Sequence, residues 1–240
     1  MMKLKGKRAL ITGGSKGIGK GIAKSYLKEG AEVAICGRGM ESLKAANDEL
    51  SQYSDISYIT ADIADKGDVK RLAAEIKEKW GKLDILVNNA SILGIKAKIM
   101  DYPEDLWEQV VRINLNAQFF VTKALLPLLI KSINSSIINL SSTVGRVGRK
   151  DWGAYSASKF GVEALTQILA QEMEPYKVRV NSVNPGGTKT DMRAGAYPDE
   201  DPGTLPTPLD ISPVFIYLAS DESIGVTGKE FDARDWIKTP

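Results

Sequence analysis

Arg8-Ala9-Leu10-Ile11-Thr12 is a short apolar run, and Gly13-Gly14-Ser15-Lys16-Gly17-Ile18-Gly19 follows it without a gap. A buried strand that ends in glycines and opens a helix gathers unpaired backbone N–H groups and the positive end of the helix dipole at one point. Glycine lets the chain turn sharply there and come close to a pyrophosphate. The spacing is Gly13-x-x-x-Gly17-x-Gly19, which differs from the G-x-G-x-x-G dinucleotide fingerprint. A glycine-rich turn without a ligand is the competing reading, so the neighbours must decide.

Outward from this turn, short β-branched runs alternate with longer amphipathic ones. Strands are predicted at Arg8–Thr12, Glu32–Cys36, Ile56–Ala61, Asp84–Asn88, Ser136–Leu140 and Val178–Val183, with a shorter one at Glu230–Asp232. Helices are predicted at Gly17–Lys28, Glu41–Gln52, Lys66–Trp80, Glu104–Lys131, Ala154–Glu174 and Ile211–Ser220. Gly30, Gly81 and Pro175 punctuate helix ends. Such alternation implies parallel βαβ units, hence an α/β fold of three layers with a doubly wound sheet. No linker divides residues 1–240, which read as a single domain. The one shift in composition is Ala196–Pro208, where four prolines sit among acidic residues. Residues 190–210 are therefore expected to form an irregular substrate loop, either a lid or a surface excursion.

The residue after the second strand sets the expected cofactor. A carboxylate there would bind an adenosine ribose and repel a 2′-phosphate. The chain reads Cys36-Gly37-Arg38, and Arg38 offers a planar fork of donors suited to phosphate, with Lys16 adding a second charge. NADP(H) is expected over NAD(H).

Tyr155 and Lys159 stand four residues apart on one predicted helix face. About 0.8 such pairs are expected by chance, but requiring Ser142 at the end of the preceding strand lowers this to about 0.06. A free phenol titrates near 10 and is a poor acid–base group at neutral pH. An ammonium about 5 Å away, at an effective dielectric of about 20, favours the phenolate by about 3 kcal/mol, or about two pKa units. Tyr155 is thus expected to exchange a proton with a substrate oxygen that Ser142 holds in line.

Composition removes the rivals. The chain has no histidine and one cysteine, Cys36, so neither a Ser-His-Asp arrangement, a histidine–zinc site nor an internal disulfide can form. A net charge of +2 gives no global pull toward nucleic acid or anionic membrane. The early Lys3, Lys5, Lys7 and Arg8 lead into a strand rather than a leader, and no run is long enough to span a bilayer. A cytoplasmic protein with no metal is expected.

The ordered set of these motifs resembles the short-chain dehydrogenase/reductase family, from Lys7 to about Asp232. The resemblance implies a seven-stranded sheet in the order 3-2-1-4-5-6-7 and, commonly, a tetramer. It implies that Gly13, Ser15, Lys16, Gly17, Ile18 and Gly19 form the cofactor turn, and that Ser142, Tyr155 and Lys159 are catalytic, with Lys159 also on the nicotinamide ribose. It further implies Asp62 at the adenine, Asn88 and Ala90 at the sheet and the adenosine ribose, and Asn114 at a water of the proton relay. Pro185 and Gly186 follow the sixth strand, with Thr188 near the carboxamide and Thr190 near the pyrophosphate. Three positions depart from the family pattern: Ser91 replaces a glycine, residues 190–211 are short and proline-rich, and Phe231–Pro240 lacks a glycine pair.

Expected substrates are small carbonyl or alcohol compounds, or an acyl thioester. Arg146, Arg149 and Lys150 lie between Ser142 and Tyr155, and would either attract an acidic acyl carrier protein or form a solvated basic loop. The competing class is a non-catalytic NADP(H)-binding regulatory protein, which has no need of a proton relay. Apolar residues on more than one face of the Glu104–Lys131 and Ala154–Glu174 helices predict helix-to-helix contacts in a homodimer or homotetramer.

Overall fold

The computed structural model describes residues 2–237; residues 238–240, the end of the segment that lacks the glycine pair, lie outside the described residues. Seven strands, β1 (Arg8–Thr12), β2 (Glu32–Gly37), β3 (Ile56–Thr60), β4 (Ile85–Asn88), β5 (Ser136–Leu140), β6 (Arg179–Asn184) and β7 (Glu230–Asp232), form one sheet. Its order is β3-β2-β1-β4-β5-β6-β7, and every pairing is parallel. This is the doubly wound order expected.

Among the described residues there are eight α-helices: α1 (Gly17–Lys28), α2 (Met40–Leu50), α3 (Lys66–Trp80), α4 (Glu104–Val111), α5 (Ala117–Leu129), α6 (Gly153–Glu172), α7 (Asp191–Ala196) and α8 (Pro213–Ala219). One core lies beneath α1, α2 and α8, around Ile22, Tyr26, Leu43 and Phe215. The other lies beneath α3, α5 and α6, around Leu72, Ile76, Val121 and Leu169. A sheet covered on both faces needs strands apolar on both sides, which is why β1 and β2 read as continuous runs rather than alternating ones. Local signals fix several helix ends. Asp65 caps α3 by accepting from the Asp68 N–H at 2.8 Å, and Gly81 ends it in the left-handed region at φ 70°.

Two predicted elements differ. The helix expected across Glu104–Lys131 is α4 and α5 joined by a π turn at Arg112–Asn116, where the Ala117 N–H reaches back to the Arg112 carbonyl. The wider turn buries Ile113 and Asn114, and π turns inside helices concentrate at functional sites. The segment after β6 is not irregular throughout: Thr190 caps α7, accepting from the Arg193 N–H at 3.2 Å. Within residues 190–210 proline begins only at Pro198, after the helix has ended.

β1 and β4 flank the point where the chain reverses its direction across the sheet. The loops at the carboxyl ends of strands diverge there and leave a crevice.

Candidate active site

Strand ends supply much of the wall of a cleft of about 520 Å³: Gly13 and Ser15–Ile18 after β1, Arg38 after β2, Asp62 after β3, Asn89–Leu93 after β4, Ser141 and Ser142 after β5, and Pro185, Gly186, Thr188 and Thr190 after β6. Tyr155, Lys159 and Trp152 close it from α6 and its approach, and Met192, Arg193 and Ala196 close it from α7.

The glycine turn is held from behind. Asn89 Nδ2 donates to the Thr12 and Gly13 carbonyls at 2.8 and 3.1 Å, while Thr12 Oγ1 accepts from the Asn89 and Ala90 N–H groups at 3.0 and 3.1 Å. Gly13 has φ +65°, and a Cβ there would stand 2.9 Å from Asn89 Nδ2. A Cβ on Gly19 would overlap the Gly13 carbonyl and lie 2.5 Å from the same amide. The backbone can make this approach only with glycine at both places. Lys16 and Arg38 are exposed at one end of the cleft. Asp62 follows the edge strand β3, beyond Arg38 from β4, its carboxylate accepting from the Ala64 N–H at 2.9 Å. Cys36 lines the same end; burial pushes its thiol up to about 12, partly offset by the Gly13 N–H.

At the other end Tyr155 and Lys159 share one face of α6. The Lys159 ammonium lies 5.7 Å from the centroid of the Tyr155 ring and donates to the Leu140 carbonyl at 2.7 Å. The expected acidification of the phenol is corrected here. Burial pushes Tyr155 up to about 12, and the hydrogen bond with Ser142 only partly offsets it. Burial also pushes Lys159 down to about 8, with the Glu163 carboxylate opposing. In a dry cleft the loss of hydration penalises both charged forms.

Asn114 projects from the π turn but not into the cleft. Its amide clamps both backbone groups of Ile92, Oδ1 accepting from N–H at 2.8 Å and Nδ2 donating to C=O at 2.9 Å. Asn88 likewise faces the core, donating to Thr122 Oγ1 at 3.0 Å and Asn139 Oδ1 at 2.9 Å. Of the residues expected at the site, Gly19, Asn88 and Asn114 thus support the wall from behind. The others line it.

The lining residues that were not anticipated include Asn89, Trp152 and Arg193. Asn89 lay inside a recognised motif. Trp152, one helical turn before Tyr155, stacks near it with ring centroids 5.7 Å apart, and its spacing of three could have flagged it. Arg193 carried no sequence signal. It pairs with Glu200 through two 2.6 Å contacts and lies 3.8 Å from the centroid of Tyr197. Lys96 covers Tyr197 at 4.5 Å and reaches the Ala196 carbonyl at 3.3 Å. The basic cluster also changes: Arg146 is committed to carboxylates of α6 and β7, which leaves Arg149 and Lys150 as its exposed members. No helix among the described residues is long and apolar enough to cross a membrane.

A family model described as short chain dehydrogenase matches residues 7–201. The chain is 41% identical to the uncharacterized oxidoreductase YciK of Escherichia coli over 94% of its own length and 90% of that protein. It is 35% identical to the 3-oxoacyl-[acyl-carrier-protein] reductase FabG of Thermotoga maritima, covering 95% and 96%. A short-chain dehydrogenase of Shigella flexneri, solved in complex with NADP, superposes with a TM-score of 0.94 at 40% identity, covering 98% of this chain and all of that one. With its reversed parallel sheet, its glycine turn and its Ser142, Tyr155 and Lys159, the chain belongs to the short-chain dehydrogenase/reductase family of oxidoreductases.

Proposed function

We propose that the chain is an NADP(H)-dependent reductase of small carbonyl compounds, running in reverse as a secondary-alcohol dehydrogenase. The observation that carries this reading is one continuous cleft with Arg38 and Lys16 at one end and Ser142, Tyr155 and Lys159 at the other. The residues fit the cofactor: the turn lacks the side chains that would fill a pyrophosphate cradle, and the adenosine end carries two exposed cations where a 2′-phosphate would stand. The NADP complex of the Shigella flexneri relative supports the same choice.

Gly13–Gly19 and Thr190 would hold the pyrophosphate, Asp62 the adenine, Ala90 the adenosine ribose, Lys159 the nicotinamide ribose, and Pro185–Thr188 the carboxamide. Bound NADPH supplies the hydride. Ser142 orients the substrate oxygen and Tyr155 Oη delivers the proton to it. A phenol held near 12 keeps its proton until that oxygen gains charge, which suits a general acid in the reductive direction. Asn114 spends its amide on Ile92, so any water it holds in a relay must be held by its backbone carbonyl. Around the reacting end the walls are largely apolar, from Ile92, Leu93, Trp152, Met192 and Ala196, which favours an apolar ketone or aldehyde.

A 3-oxoacyl thioester is the second reading, favoured by the 35% identity to the Thermotoga maritima reductase and by exposed Arg149 and Lys150 near Trp152. One experiment addresses both: NADPH oxidation over a carbonyl panel that includes a 3-oxoacyl thioester free and on its carrier protein. Turnover is expected with apolar ketones and lost by at least about 10³-fold in Tyr155→Phe, the upper range for a general acid. Tight NADPH binding without turnover would instead indicate a regulatory binding protein. Equal kcat/KM for free and carrier-bound thioester would remove the carrier reading.

A further inference from the structure

Arg146 follows the turn that begins at Ser142, and its guanidinium gathers three carboxylates. Nε lies 3.1 Å from Glu163 and 3.1 Å from Glu230, and Nη1 lies 3.1 Å from Asp232. Nη2 donates to the Phe231 carbonyl at 3.2 Å. Glu163 is 6% exposed and sits one turn after Lys159 on α6, the spacing at which helix side chains meet. Its second oxygen, Oε2, is buried without a hydrogen-bond partner among the described residues. A buried carboxylate held by one guanidinium nitrogen is costly unless another positive charge compensates it, and the Lys159 ammonium is the cation one turn away. The residue before Arg146 is equally close: a Cβ on Gly145 would stand 2.7 Å from Lys159 Cβ.

The same guanidinium reaches the cofactor-facing turn. Asp232 Oδ1 accepts from Asn184 Nδ2 at 2.6 Å, and Asn184 Oδ1 accepts from the Gly186 N–H at 3.1 Å. Two walls of the cleft, α6 and the Pro185–Gly186 turn, are thereby tied to one arginine.

We propose that Glu163, anchored by Arg146, is a positioning residue that keeps the Lys159 ammonium charged and seated beside Tyr155. The proposal rests on the reductase reading of this site. Burial alone drives Lys159 toward neutrality, and the Glu163 carboxylate opposes it. Other charged or titratable groups on neighbouring elements are accounted for. Tyr155 shares the helix, Arg146, Glu230 and Asp232 form the anchor, and Arg179 lies in β6 against Leu218 and Ser223. Asp105, Glu108 and Arg112, on α4 and the π turn, line a separate open pocket, and Glu104 is exposed.

The sign follows from the charges. Reduction that needs the ammonium falls as pH rises through the Lys159 pKa, so removing the Glu163 charge must move that fall to lower pH. Removing Arg146 leaves its carboxylates unopposed and must move it to higher pH. The test uses the full chain labelled with ¹⁵N at lysine Nζ, with the Lys159 signal assigned by its loss in Lys159→Arg. Alongside it, kcat is followed against pH. In Glu163→Gln the Lys159 midpoint and the alkaline limb are expected to drop together by about one pH unit. Glu163→Asp should restore most of the shift, and Arg146→Met should displace both upward. A folded Glu163→Gln protein with an unmoved Lys159 midpoint overturns the proposal. A native protein that reduces no carbonyl overturns the reductase reading instead, and the midpoint still decides the role of Glu163.

Discussion

Arg38 stands at the tip of β2, exposed and facing the cleft, where a carboxylate would have selected against phosphate. A bidentate arginine–phosphate contact contributes about 1.5–3 kcal/mol, because both groups are charged and geometrically matched. Arg38→Ala is therefore expected to weaken NADPH binding by about 10- to 100-fold while leaving NADH binding within about twofold. Fluorescence titration of the pure protein with each cofactor checks this; equal affinity of the native chain for both would refute the NADP(H) assignment. Residue types and spacing made this position legible, because they directly specify what a strand end can hold. The acidity of Tyr155 was not legible. Spacing gives the distance to Lys159, but the sign of the shift depends on how dry the cleft is, and that is set by Ile92, Pro185, Met192 and other lining residues remote in sequence.

Among the elements, α7 shows how a short helix can be hidden. Thr190 as cap and Asp191 in the first turn are ordinary start signals, but the prolines from Pro198 onward dominate the composition of the window. The helix is held over the cleft by the Arg193–Glu200 pair and by Tyr197 between Arg193 and Lys96. The pair is partly exposed, so solvent screens it and its effect stays local to this segment. Glu200→Gln is expected to raise KM about fivefold with little change in thermal stability, since α7 adds little to either core. Steady-state kinetics beside a melting curve test this; an unchanged KM would show that the segment does not cover the bound state. The π turn was illegible for a different reason. Its extra residue is stabilised by Asn114 meeting Ile92, a contact across the fold, and helical periodicity continues on both sides of it.

At the scale of the whole molecule, the parallel doubly wound sheet followed from alternation, because strands buried on both faces leave few other arrangements, whereas the order of its seven strands followed from the family resemblance. The apolar helix residues divide more finely than expected. Leu125 and Leu169 are in the core, whereas Phe119, Phe160 and Ile168 are exposed by 44, 43 and 51%. Large exposed side chains of this kind on α5 and α6 are what the expected helix-to-helix contact between subunits would cover. Light scattering is expected to show a particle larger than one chain, and Phe119→Glu with Ile168→Glu is expected to shift it to the monomer. A native monomer at micromolar concentration would leave that surface unexplained.

Cys36 is the only cysteine in the chain, and its burial against the sheet keeps the sulfur protonated far above neutral pH. The wild-type protein is therefore nearly blind to maleimide chemistry. A single Gly195→Cys change on α7, where a Cβ meets nothing within 4 Å, would create one reactive thiol without removing any native side chain. A fluorophore attached there would report whether α7 moves over the cleft one molecule at a time, against a silent background.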